Sequence, residues 1–450
     1  MVRSARRIMR FVVGAAGVSC AWTGCSSPLP CGLDSCDVRD AHCQQMASAA
    51  AACLRQVSPA TVPVTVMSQA EYIQQQTSGE PPTPDQENAF RIWNDALALF
   101  GLAPPHQSLA DAARVSASWV GAFYDQSDKS ITILDDGQPL DSIYFVSMLV
   151  HEYEHAIQDA RFGIKALYAA NPGGRDANQA TSAMIEGEAS IVGDRALVDL
   201  FGDSPDDVPW QRVFSEWKDS QRKSALASTN PVTLAYSTFA YAFGTPYMHD
   251  AIATGGWQGA DDVFATLPVS ARQVMAGFGA ADPAVGPWSE DLGADAVPVL
   301  DARFSLESTA RMGAWIVSLL LARANLHLLD DPAKQMTADE LSVFQDQTTA
   351  AAVAVWRLRV GSPELASSVR EALEAQLFAQ ALGWGAVRLQ TIDRDLVLVS
   401  ATDPLVLSAI PDALTFQPVP RSTTASPIFG DSTNGSTGTA GALIRCSRRF

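Results

Sequence analysis

The chain has 450 residues, 47% of them hydrophobic and 18% charged, which supplies a sizeable interior and exceeds what one ordinary core organises. Its formal charge of −18 excludes a nucleic acid or an anionic membrane face as partner, because phosphate recognition needs a basic surface. No apolar run reaches the ~18 residues of a membrane-spanning helix.

Residues 1–24 read as a signal peptide, with Arg3, Arg6, Arg7 and Arg10 ahead of the short apolar run "FVVGAAGVSCAW". The following "TGCSS" resembles the lipobox of bacterial lipoproteins and would make Cys25 a lipidated first residue, although Trp22 stands where an aliphatic side chain is usual. The expectation is therefore export, either as an envelope lipoprotein held by lipid on Cys25 or as a secreted protein. Residues 25–58 form a cysteine-rich segment: Cys31, Cys36, Cys43 and Cys53 crowd together while the body up to Arg445 has none. In an oxidising compartment four such cysteines read as two local disulfides, with three pairings open; a zinc site with His42 is the alternative. Cys446 is left over.

From 59 onward "TVPVTVMSQAEYIQQQ" predicts a strand followed by a helix, and "PPTPDQ" a turn that starts a helix through "ENAFRIWNDALALFG". "GAFYDQSDKSITIL" predicts a hairpin turning at Asp128. A helix of about 20 residues follows from Asp141, then the loop "NPGGRD" and a second long helix from about Asp176 to Leu200. "AADPAVGPWSEDLGADAVP" reads as a linker near 290. Residues 300–412 are expected to be a helical region, with "WIVSLLLA" as buried helix and "RLQTIDRDLVLVSAT" strand-like. The Ser-, Thr-, Gly- and Pro-rich stretch 416–450 is expected to be disordered.

The chemistry concentrates in "MLVHEYEHAIQD", residues 148–159. Residues four apart share a helix face, so His151 and His155 can turn both imidazoles to one ion, and Glu152 falls beside that ion where a general base belongs. With six histidines in the chain, a chance H-E-x-x-H arises in on the order of a few chains per thousand. The preceding "SIYFVSMLV" is apolar, so the pair is expected in a buried helix, where polar groups need partners. Catalytic zinc takes a third protein ligand and keeps a fourth position open. "SAMIEGEASIVGD" offers Glu186, at a distance that allows a loop and a return helix, with Gly187 and Ala189 permitting close approach. Glu188 faces elsewhere, so one glutamate of the two is the ligand. Two solvated surface glutamates are the bland alternative.

H-E-x-x-H with a downstream glutamate on another helix resembles the gluzincins, the group of thermolysin-like peptidases and zinc aminopeptidases. "HEYEHAIQD" is similar to the thermolysin-like "HELTHAxxD", and "IEGEA" to the aminopeptidase "NEGFA", which aligns Glu186 as ligand. Over roughly 60–415 the chain also resembles an uncharacterised group of bacterial exported metalloprotease-like lipoproteins. The shared pieces are "AFYD" at 122–125, "EGEA" at 186–189, "AYAFG" at 240–244, "GGW" at 255–257 and "PVSARQ" at 268–273, with Ala240 replacing that group's proline. The resemblance implies an α+β, mostly helical protein: a zincin-like metallopeptidase domain over 59–290 with a small sheet near its start, then the helical second region.

The function so implied is peptide-bond hydrolysis with one Zn2+ per chain on His151, His155 and Glu186, Glu152 as general base and a peptide or protein as substrate. Tyr241 is the first candidate for donating to the oxyanion, ahead of Tyr247 and His249; an ordinary core tyrosine is the alternative. Asp159 and Asp194 are candidate acceptors for the histidine N–H groups. A zinc amidohydrolase on another substrate and a non-catalytic, zinc-stapled envelope protein are the competing readings. An intact Glu152 disfavours the staple, which has no use for a base beside its metal.

Overall fold

The computed structural model describes residues 31–78, 81–171, 174–280, 296–323, 336–379, 385–418 and 443–447. The signal segment, Cys25, most of the linker near 290 and most of the tail lie outside the described residues. Helix accounts for 56% and strand for 18%, so the mixed class with a helical majority holds.

The N-terminal segment is a small stapled unit. Disulfides join Cys31 to Cys53 and Cys36 to Cys43, settling the pairing and fastening both ends of α1, Ala41–Arg55. The Cys43 and Ala-rich face of α1 packs into a core shared with the helix that carries the histidine pair.

A small sheet follows, in the order β1-β3-β2-β11. β1, Val64–Ser68, runs parallel to β3, Ser130–Asp135; β2, Val120–Asp125, is antiparallel to β3 across the expected hairpin. The outer edge of β2 pairs with β11, Leu443–Ser447, from the tail. Disorder throughout 416–450 was therefore too broad an expectation: besides β11, β10 at Phe416–Pro418 pairs with β4 at Ala296–Pro298. Between β1 and β2 run α2, Gln69–Thr77, α3, Pro84–Leu99, and α4, Leu109–Ser118. α3 starts where its sequence dictates: Thr83 and Gln86 form a reciprocal capping box around Pro84.

Two long helices make the centre. α5, Ile143–Phe162, lies on the inner face of the sheet through Phe145, Val146, Leu149, Val150 and Tyr153. After the short α6, Ile164–Ala170, comes α7, Gly174–Leu200. Ser147 and His151 face Gly193 while Gln158 reaches Ile185, so α5 and α7 run antiparallel. Close approach is set by Gly193, where a Cβ would lie 3.1 Å from His151 Cβ. Gly187, expected to serve that contact, instead meets the backbone of Gly244 and Thr245.

That backbone belongs to a π-turn at 240–244, between α9, Pro231–Phe239, and α10, Thr245–Ala265, themselves preceded by α8, Trp210–Ala227. A Cβ on Gly244 would collide with the Ala183 carbonyl, and neither backbone can yield. Gly244→Ala is expected to cost about 3 kcal/mol, the upper end of overpacking penalties, as measured by chemical unfolding. A loss below about 0.5 kcal/mol would mean that the turn and α7 are not in contact.

The region after 300 is less helical than expected, although its strand-like stretch at 388–402 does form strands. It is built on a five-stranded antiparallel sheet, β5-β6-β7-β9-β8, with β5 Phe304–Ala310, β6 Met336–Asp346, β7 Ala352–Val360, β8 Ala386–Ile392 and β9 Asp395–Ala401. Both faces of β6, β7 and β9 are buried, so polar residues such as Asp339 and Ser342 in β6 mark no solvent-facing side. Asp339 of β6 is fully buried and accepts from the backbone N–H groups of Met312 and Gly313, at the start of a helix over Gly313–Arg323, and from Trp356 Nε1. One face of this sheet shares a continuous core with α3 and the helices around α7, so the regions before and after the linker pack as one body there.

Candidate metal centre

Residues 149–159 of α5 are all buried, as are 183–193 of α7. Both stretches carry polar groups inside a core, an arrangement that persists only where those groups have partners or work to do. His151, His155 and Glu186 form the metal-capable group found among the described residues. His155 Nε2 lies 3.0 Å from His151 Nε2, and Glu186 Oε2 lies 3.2 Å from His151 Nε2 and 3.6 Å from His155 Nε2. Ligands about 2.0–2.1 Å from a tetrahedral zinc stand about 3.3 Å from one another, so the three donors fit such an ion.

Gln158, which the sequence analysis missed, fixes the chemistry of His155. Its amide nitrogen donates to the Ile185 carbonyl at 2.9 Å and to Glu188 Oε2 at 2.8 Å. Two acceptors on one side decide the amide orientation and leave Oε1 facing His155 Nδ1 at 2.9 Å. Nδ1 must therefore carry the proton, and Nε2 presents its lone pair to the ion site. Its position three residues after His155, on the same helix face, was the signal available.

Asp159, one of the expected acceptors, does something else. It takes hydrogen bonds from the Tyr124 hydroxyl at 2.8 Å and the Ile164 backbone N–H at 3.2 Å and pairs with Lys129, tying the hairpin to the end of α5. Asp194 lines a small cavity with Trp210, Phe214, Thr245 and His249. His249 packs against those two aromatic rings, and Tyr247 packs edge-on to Phe278, so neither is drawn to the ligands. Tyr241 is: it sits in the π-turn, 5% exposed, with its ring centroid 6.5 Å from that of His151. Such turns inside helices occur frequently at functional sites.

Glu152 is fully buried beside the group and its carboxylate completes no hydrogen bond. Burial pushes its pKa up to about 8; His155 and the nearby Tyr124 backbone N–H pull it down, and Glu186 adds to the rise. That N–H points to the outer edge of β2. Ile131 gives its own N–H to Pro63 on the β1 side, so the Tyr124–Ile131 pair is of the non-hydrogen-bonded kind. For Glu186 burial acts in the same raising sense, but the two imidazoles outweigh it and hold the carboxyl at about 2. Burial opposes charge on His155, and Glu186, Glu152 and Gln158 outweigh it, leaving its pKa raised. An anionic oxygen facing two imidazoles is the donor set that a divalent ion takes.

Glu188 is neither a ligand nor solvated. Fully buried, it stands against Arg55 of α1 beside another buried carboxylate, Glu154. Burial raises both carboxyls, and Arg55 pulls both down. Comparison with protein-family models, with curated proteins and with solved structures returns no match.

Proposed function

We propose that the chain is a zinc-dependent peptidase of gluzincin type, exported and carried on the envelope by lipid on Cys25. The observation that carries the reading is the convergence of His151, His155 and Glu186 with an unpartnered, buried Glu152 beside them. Zinc bound there would supply Lewis acidity, lowering the pKa of a water and polarising a carbonyl.

The chain's own groups do the rest. Glu152, in its ionised form, takes a proton from the attacking water and returns it to the leaving nitrogen. Gln158 keeps His155 in one tautomer, and Tyr241, packed against His151, is the nearest candidate to donate to the developing oxyanion. A peptide is favoured over other amides because the edge of β2 that carries the Tyr124 N–H pairs with an extended segment, β11. The test is cleavage of a broad peptide library by the zinc-loaded chain; an uncut library removes the peptidase reading and leaves the zinc.

Two disulfides fit an oxidising compartment, and no helix among the described residues is long and apolar enough to cross a membrane. If Cys25 is the anchor, cells fed a labelled fatty acid should mark the wild type and leave Cys25→Ser unmarked. An unmarked wild type would mean simple secretion.

A further inference from the structure

Arg55 is the last residue of α1, two positions after the Cys53 disulfide. Its side chain is 2% exposed. Nε lies 2.8 Å from Glu188 Oε1 and 3.6 Å from Glu154 Oε1, and a terminal nitrogen bonds Asp261, which also takes Arg161 at 2.7 Å. The guanidinium carbon sits 4.6 Å over the ring of Trp257, the tryptophan of "GGW", and Asp261 stands one helical turn beyond it. Three sequence features that the reaction leaves unused thus meet at one side chain: the stapled segment, "GGW" and the second glutamate of "EGE".

A buried ion pair of this sort seldom earns its place by stability alone, since well-packed apolar groups do as well. What it does here is directional. Glu188 turns Oε1 to Arg55 and Oε2 to the Gln158 amide nitrogen at 2.8 Å, and Gln158 turns Oε1 to His155 Nδ1 at 2.9 Å. Were Glu188 to swing away, only the Ile185 carbonyl would still hold the Gln158 amide, which with one of its two acceptors gone could rotate and offer N–H to Nδ1. That would select the tautomer protonated on Nε2 and take a lone pair from the ion.

We propose that Arg55 is a positioning residue of the metal centre: through Glu188 and Gln158 it holds His155 in the tautomer whose Nε2 binds the ion, which makes the disulfide-stapled N-terminal segment part of the site. This rests on the metal reading above but not on hydrolysis. The test uses the full chain, with zinc affinity read by competition against a chromophoric chelator. The His155 tautomer is read from imidazole nitrogen shifts in metal-free protein at a pH that leaves the ring neutral, where six histidines make assignment practical.

Arg55→Met should weaken zinc binding about 10- to 100-fold and mix the His155 tautomers, and Arg55→Lys should recover part of both. Because Arg55→Met strands two buried carboxylates, the double variant Arg55→Met/Glu154→Gln, which keeps the buried charge balanced, should show the same loss if the single variant does not fold. A folded variant of either kind with wild-type zinc affinity and a purely Nδ1-protonated His155 would overturn the proposal. Absence of peptide cleavage by the wild type would leave it standing, and absence of zinc binding would remove the metal reading while the tautomer still decides the positioning.

Discussion

Zinc-loaded Glu152→Gln should keep one ion per chain and an unchanged fold while losing peptide hydrolysis by roughly 10²–10⁴-fold. The substitution conserves volume in a fully buried position and touches none of the three ligand atoms. It removes a carboxylate that is costly where it stands, since neither oxygen completes a hydrogen bond and burial lifts its pKa to about 8. A group kept at such cost beside a metal-capable cluster is better explained by proton transfer than by folding. An amide cannot accept the water's proton at neutral pH, so the loss should fall on kcat. Equal cleavage of the library by wild type and variant would refute the peptidase reading.

Removing a ligand should act on the ion itself. Wild type is expected to bind one zinc, and His155→Ala and Glu186→Ala to bind none at concentrations that saturate it, because two remaining donors hold zinc weakly. Thermal stability of the wild type should rise with added zinc and fall with a chelator, while the two variants should be indifferent to both. Glu188→Ala should keep the one-ion stoichiometry, since Glu188 faces Arg55 and Gln158 and not the ligand group, but with weaker binding and lower stability once Arg55 loses that partner. Retention of zinc by Glu186→Ala together with its loss from Glu188→Ala would move the third ligand by two residues and break the geometry described here.

Local rules made much of the site legible. The four-residue spacing of His151 and His155 is a helix-face statement, valid wherever α5 packs. The choice of Glu186 over Glu188 follows from the two pointing to different faces of one helix, together with the resemblance of "IEGEA" to a ligand motif. Turn signals placed the starts of α3 and α7 and the hairpin, because tight turns are satisfied by residues a few positions away, while α5 was placed by its helical pattern. Four clustered cysteines announced two disulfides but not their partners, since pairing depends on how α1 folds back.

What the chain order hides is whatever two distant segments decide together. Gln158 and Arg55 carry no motif of their own; each acquires its role from acceptors on α7 brought within 3 Å by packing. Asp159 matched a motif and yet serves Tyr124 and Lys129, because the hairpin rather than a histidine lies against its face of α5. The strand-like stretch at 388–402 announced β8 and β9 of the five-stranded sheet, but β6 and β7 escaped, and the partners that make buried Asp339 tolerable in β6 are a helix start and Trp356 elsewhere in the chain. By itself the sequence determined which residues can reach a common ion. The tertiary structure alone decided which polar groups hold those residues in place, since burial removes water as an alternative partner and makes each buried donor depend on whichever acceptor the packing supplies.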